Sequence, residues 1–190
     1  MFNTIALDEF ADFILEFMDD NFNFLGKHCR HTADVCEKIA DKLNICSSDR
    51  KLLKYGSLLH DIGKLYIPRA ILLSPRKLTD KEFEIVKDHP VYGNKIIKRF
   101  NSLNSVSPFI LYHHYRKGYG YPDSPPLDMS VNPILIDILT VSDSYAAISE
   151  KRPYAGNGNI NPIAILKNTK DIKNKGINEE IVDVLSTITF

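Results

Sequence analysis

The chain has few cysteines, no excess of either charge and no long apolar run, and each shortage narrows what it can be. Lys+Arg and Asp+Glu both number 24 across 190 residues. Balanced charge removes any whole-chain attraction to DNA, RNA or an anionic membrane. An anionic ligand must then be held by local charge, which suits a small phosphorylated molecule better than a nucleic acid polymer. The three cysteines, Cys29, Cys36 and Cys46, are odd in number and lack C-x-x-C spacing, so they read as reduced cytosolic thiols and not as a disulfide framework. No apolar run approaches the ~20 residues of a membrane span. The N-terminus MFNTIALDEF has no basic region and is interrupted by Asp8 and Glu9, unlike a signal peptide. The expectation is a soluble cytoplasmic protein, and 190 residues with 44% hydrophobic content suffice for one well-buried domain. Internal repeats, low-complexity tracts and a persuasive series of strands are also missing.

What remains is helical periodicity, and the expected fold class is all-α. Ile5, Leu7, Phe10, Phe13, Ile14 and Phe17 recur largely at spacings of three and four, predicting an amphipathic helix over residues 5–20. A second helix is predicted from about Lys27 to Asn44. With His28 at zero on its wheel, Thr32, Val35, Cys36, Ile39 and Leu43 fall between about −20° and +80°. His28 therefore belongs to the buried stripe, whereas His31 sits on its border. Ser47-Ser48-Asp49 opens a helix leading through Leu58 to His60-Asp61, which Gly63 and Pro68 end. Thr79 and Glu82 have capping-box spacing, and His89-Pro90 breaks the helix that follows. Pro108 begins a short helix ending in His113-His114. Arg116-Lys117-Gly118-Tyr119-Gly120-Tyr121-Pro122 is a basic, glycine-rich and aromatic loop able to cradle phosphate and stack a base. Asn132-Pro133 opens the most apolar helix, Ile134–Ser149, interrupted by Asp137 and Asp143. A buried carboxylate needs a cation or several hydrogen bonds, so one of the two should have a metal or a basic partner. After a Gly/Asn loop at 155–161, weaker helices are expected near 162–170 and 178–187.

Five of the six histidines, His28, His60, His89, His113 and His114, fall on or beside separate helical segments. With Asp61 and Asp143 they form a mixed imidazole–carboxylate set too large for one closed tetrahedral zinc site. The set suits two ions bridged by Asp61: His28, His60 and Asp143 on one, His89, His113 and His114 on the other. Nitrogen-rich sites with oxygen ligands and open positions favour iron or manganese over calcium or magnesium.

The ordered series His60-Asp61-Ile62-Gly63-Lys64, His89-Pro90, His113-His114 and Gly120-Tyr121-Pro122 resembles the HD-GYP domains, a branch of the HD-type metal phosphohydrolases. Ile67-Pro68, Leu78-Thr79, Asp143-Ser144-Tyr145-Ala146-Ala147 and Arg152-Pro153-Tyr154 extend the similarity over roughly residues 24 to 185. The resemblance implies a single helical bundle with a binuclear metal centre in its core. It places an N-terminal helix and loop at 1–23 and an HD-GYP-like phosphohydrolase domain at 24–190. It further implies hydrolysis of a cyclic dinucleotide, chiefly cyclic di-GMP, by attack of a hydroxide bridging two divalent ions. Asp61 and Lys64 are then the candidate catalytic residues, and Lys64, Arg116, Tyr121 and Arg152 the candidate substrate contacts. Trinuclear members of the family carry a glutamate where this chain has Phe24, so two ions are expected. The usual H-H-E-R-x-D-G-x-G-Y-P is one residue shorter here, with Tyr115 in place of the glutamate, and Ala155 stands where a basic residue often follows R-P-Y. The apolar C-terminal segment 184–190 is a candidate helix end or homodimer contact.

Overall fold

The computed structural model describes residues 4–116, 120–122, 131–150, 161–168 and 176–190, and among these every regular element is helical. Helix α1 spans Thr4–Phe22, α2 Leu25–Lys42 and α3 Ser47–Leu59; a 3₁₀ turn follows at Ile62–Tyr66. The short α4 (Arg69–Leu72) leads to α5 (Asp80–Lys87), α6 (His89–Ile97), a second 3₁₀ turn (Asn101–Val106) and α7 (Ser107–Tyr112). Helices α8 (Pro133–Ser149), α9 (Pro162–Asn168) and α10 (Glu179–Ser186) complete the described chain. None of them is long and apolar enough to cross a membrane.

The expected stops and starts are made by the expected groups. Thr79 accepts from the Glu82 amide while Glu82 accepts from the Thr79 amide at 2.8 Å, closing the capping box. Asn132 caps α8 through its contact with the Ile134 amide, and Pro133 takes the first helical position. The chain turns out of α5 at Asp88 and re-enters helix at His89.

Helix α2 is the central element and packs on α1, α3 and α8. Its predicted stripe is buried as read, with His28 in it and His31 half-exposed. Val35, Cys36 and Ile39 join Leu53, Phe109, Leu135, Ile138 and Leu139 in the main core. The α1 stripe is rotated from its expected position. Leu7, Ala11, Leu15, Met18 and Phe22 are buried, whereas Phe13 and Phe17 stay exposed. Small Ala11 lets the helix approach its neighbours closely on that side, and the two phenylalanines are left against each other at 6.5 Å. Leu15 and Met18 share a cluster with Leu25 and Cys29 of α2, so α1 is packed into the body of the fold. Phe190 folds back onto Tyr145, with ring centroids 4.8 Å apart.

Gly63 has a steric reason to be glycine. A Cβ there would lie 1.8 Å from the His89 carbonyl oxygen and 2.5 Å from the Gly93 amide, because the turn after Asp61 runs directly against α6. Gly63→Ala is expected to cost roughly 3 kcal/mol of stability, the upper end of ordinary overpacking. Urea unfolding compared with the wild type checks this, and an unchanged midpoint would rule out the close approach.

Candidate metal centre

The buried histidines are delivered by helix ends. His60 caps α3, His113 caps α7, and His89 stands at the break after α5. At a helix C-terminus the last carbonyls lack intrahelical partners, and each ring uses one three residues back. His60 Nδ1 donates to the Ser57 carbonyl at 2.7 Å, His89 Nδ1 to Val86 at 2.8 Å and His113 Nδ1 to Ile110 at 2.9 Å. With Nδ1 turned to these carbonyls, the Nε2 atoms of all three rings face inward toward Asp61. Thr140 of α8 holds the next carbonyl in place, its hydroxyl donating to His113 O at 2.8 Å.

His28 comes from the first turn of α2 and Asp143 from α8, with His28 Nε2 2.9 Å from Asp143 Oδ1. Asp61 lies between two groups of imidazoles. Its Oδ2 is 3.4 Å from His60 Nε2 and 3.9 Å from His28 Nε2. Its Oδ1 is 3.2 Å from His89 Nε2 and 3.9 Å from His113 Nε2. Ligand atoms of His28, His60 and Asp143 all lie within 4.8 Å of one another, as do those of His89, His113 and His114. These are the two trios read from the sequence, one against each oxygen of Asp61. Lys64 Nζ reaches Asp61 Oδ2 at 2.5 Å.

Several observations test whether the site fits cations. His89 Nε2 and His113 Nε2 face each other at 3.1 Å although both rings already donate through Nδ1. Two neutral imidazoles so arranged oppose lone pairs, which a shared cation relieves. Ligand atoms each ~2.1 Å from one ion stand about 3–3.5 Å apart, so the spacing also suits a shared ion. His60 Nε2 and Asp61 Oδ1 are buried without a hydrogen-bond partner, which ordinarily calls for water or an ion. Burial and the neighbouring histidines hold His113 well below the ordinary imidazole range, and burial takes His114 down to about 3; both stay neutral, as ligands must. The donor set fits two cations.

On the other side of the site the carboxylates decide. Burial disfavours charge on His28, but Asp143 and Glu150 outweigh it and raise the pKa from 6.5 to about 9. Chelated protein should therefore hold a proton there at pH 7 that an ion has to displace. Mn²⁺ affinity is expected to rise with pH toward 9, by up to ~10-fold per unit for each proton released. The raised pKa also stabilises the chelated fold fully below 6.5, and that contribution is lost as pH climbs through about 9. Manganese titrations and thermal melts between pH 6 and 9 check both slopes, which run in opposite directions.

Of the candidate substrate contacts, Tyr121 lies over His114 with ring centroids 4.6 Å apart. Its amide donates to His114 O, and a Cβ on Gly120 would come within 2.0 Å of the same oxygen. Arg116 Nη2 reaches Ser144 Oγ at 3.5 Å, beside Asp143, and its Nε is buried without a partner. Arg152 lies outside the described residues, as do Lys117–Tyr119 and 155–160 of the Gly/Asn loop. Asp137 stands apart, accepting from Asn178 Nδ2 at 2.9 Å; of the two α8 carboxylates only Asp143 enters the centre. Sequence reasoning missed Glu150, whose two oxygens are each 3.1 Å from His28 Nδ1. The available signal was its position seven residues after Asp143, nearly the same face of α8. It also missed Cys29, whose thiol shares a 4.8 Å neighbourhood with donor atoms of His60 and Asp61.

A helical body holding imidazoles and two aspartates at its centre has the architecture of the HD-type phosphohydrolases. The chain belongs to the HD-domain family: residues 25–148 match the family model described as HD domain. A cyclic di-GMP phosphodiesterase of Thermotoga maritima is 36% identical over 77% of this chain and 42% of that protein. A 3′3′-cGAMP-specific phosphodiesterase of Vibrio cholerae is 35% identical over 68% of this chain and 25% of that protein. The chain thus spans less than half the length of these relatives. The solved HD domain of the phosphodiesterase PgpH from L. monocytogenes superposes with a TM-score of 0.69 at 18% identity, covering 92% of this chain and 93% of that one. A Bdellovibrio bacteriovorus protein described as HDG"Y"P gives 0.67 at 18% identity, over 96% of this chain and 60% of that one. The HD-GYP resemblance is borne out by these relatives, and the two structures establish the fold.

Proposed function

We propose that residues 24–190 form a metal-dependent phosphodiesterase domain, buttressed by the helix in 1–23, that hydrolyses a cyclic dinucleotide, most readily cyclic di-GMP, in the cytoplasm. The observation that carries this reading is the Asp61 carboxylate between two donor trios, Oδ2 toward His60 and His28 and Oδ1 toward His89 and His113, with opposed Nε2 atoms in the second trio. His28, His60 and Asp143 would hold one divalent transition ion, His89, His113 and His114 the other, with Asp61 shared. Iron or manganese suits these donors. A bound ion pair supplies an activated water and neutralises charge on a phosphodiester. The residues do the rest. Asp61 fixes the spacing between the two sets, and Lys64 compensates its charge and presents an ammonium to the phosphate. Arg116 sets its guanidinium beside Ser144, next to Asp143, as a positive charge for the phosphate, and Tyr121 walls the site beside His114 against a base or ribose. The sequence relatives act on cyclic dinucleotides by name, which supports that substrate class. The shortened loop after His114 favours a second reading, another nucleotide or phosphoester cleaved by the same centre.

Metal analysis of protein purified without chelator, followed by incubation with cyclic di-GMP, 3′3′-cGAMP and bis-p-nitrophenyl phosphate, separates the readings. Two transition ions per chain and a linear dinucleotide product are expected, with loss on EDTA treatment and recovery with Mn²⁺. Fewer than one ion per chain would remove both enzyme readings. Cleavage of the generic diester alone would favour the second, and binding without product would make the domain a nucleotide sensor.

A further inference from the structure

The ligand histidines obtain their second hydrogen bond in two different ways. His60, His89 and His113 sit at helix ends and use a carbonyl three residues back. His28 cannot, because it lies inside α2. The carbonyl four residues before it, Phe24 O, already accepts the His28 amide at 2.9 Å. An imidazole in the first turn of a helix has no free C-terminal carbonyl behind it and needs an acceptor from elsewhere in the fold. Glu150, the residue at which α8 ends, supplies it: both oxygens stand 3.1 Å from His28 Nδ1, while Nε2 faces Asp143. Glu150 Oε1 also lies 3.5 Å from Nδ1 of His31, one turn along α2 and half-exposed. The carboxylate is two-thirds buried and spans the gap between the end of α8 and the first two turns of α2.

We infer that Glu150 is a positioning residue for the metal centre, taking for His28 the part that main-chain carbonyls play for His60, His89 and His113. By accepting the Nδ1 hydrogen it orients the ring and turns Nε2 toward Asp143, the atom left for an ion. A carboxylate partner also makes the imidazole a stronger ligand than a carbonyl does. The effect is confined to the ion held by His28, His60 and Asp143, because the Glu150 carboxylate is engaged by His28 and His31. The inference rests on the two-ion reading above. It goes further in dividing the pair into one site braced by backbone and one braced partly by a side chain that can be removed.

The test is a Mn²⁺ titration of chelated full-length protein, with free aqueous Mn²⁺ read from its six-line paramagnetic resonance signal. Wild type, Glu150→Ala, Glu150→Gln and His31→Ala are compared. Glu150→Ala is expected to weaken one of the two ions by about 10- to 100-fold and leave the other at wild-type affinity. Glu150→Gln keeps a neutral acceptor, so its loss should be clearly smaller. His31→Ala should bind both ions normally. Thermal melts of the chelated variants guard against misfolding, because a purely structural tie would lower stability without singling out one site. If Glu150→Ala binds both ions as wild type does, or if alanine and glutamine weaken both equally, the inference is wrong. If wild type itself takes up no pair of ions, the two-ion reading falls first and the role of Glu150 with it.

Discussion

Asp61→Asn should remove both ions together and reduce turnover by at least ~10³-fold, while the helical circular dichroism spectrum is retained. The size of the effect follows from where the two oxygens point. Oδ1 faces His89 and His113, and Oδ2 faces His60, His28 and Lys64. Asp143 also reaches across, its Oδ2 4.0 Å from His114 Nδ1, but Asp61 stands against two rings of that trio, His89 and His113. Asparagine fills the same volume but turns an N–H₂ group toward one of the trios and carries no charge. It also leaves the ammonium of Lys64 without its counter-ion, which should cost about 1–3 kcal/mol of stability. Metal content by mass spectrometry, measured beside a melt, separates loss of the centre from loss of the fold. An Asp61→Asn protein that keeps two ions would show that the aspartate does not bridge.

Lys64→Met should have the opposite profile: both ions kept, kcat/KM lowered by roughly 10²–10³-fold. Methionine preserves most of the buried stem and removes only the charge. Asp61 should then respond to acid. Burial pushes its pKa up, but Lys64, His60 and His89 outweigh this and hold it well below the ordinary carboxylate range. A depressed carboxylate keeps its charge as pH falls until its own low pKa is reached. Without Lys64 it protonates sooner, so the variant should release its ions at a higher pH than wild type during acid titration. Dialysis against buffers of decreasing pH, with metal content read at each step, checks this. Loss of metal at neutral pH would instead make Lys64 part of the scaffold of the centre and not a substrate contact.

The residues that the fold gathers around Asp61 were legible in the sequence because their signal is chemical and local. An imidazole at a helix end, a carboxylate inside an apolar helix and glycine after His60-Asp61 each stand out against their surroundings. The helices were legible for a similar reason. Capping by Thr79 and Asn132 and interruption at His89-Pro90 act over three or four residues, which is the range of the hydrogen bonds involved. The α1 face was misjudged because a stripe is a competition among side chains. The face that turned inward carries Leu7, Ala11, Leu15, Met18 and Phe22, a second apolar stripe that leaves Phe13 and Phe17 outside.

By itself the sequence determined an all-helical chain, the five imidazoles and two aspartates of the centre, and the grouping of those donors around Asp61. Only the tertiary structure decided how they are held: the three carbonyls that lock the Nδ1 hydrogens, the opposed nitrogens of His89 and His113, and Glu150 against His28, 122 residues away. Composition and spacing encode which groups are available and which face of a helix they share. The direction of a ring nitrogen depends on a partner brought in by a different helix, and that distance exists only after the helices have packed.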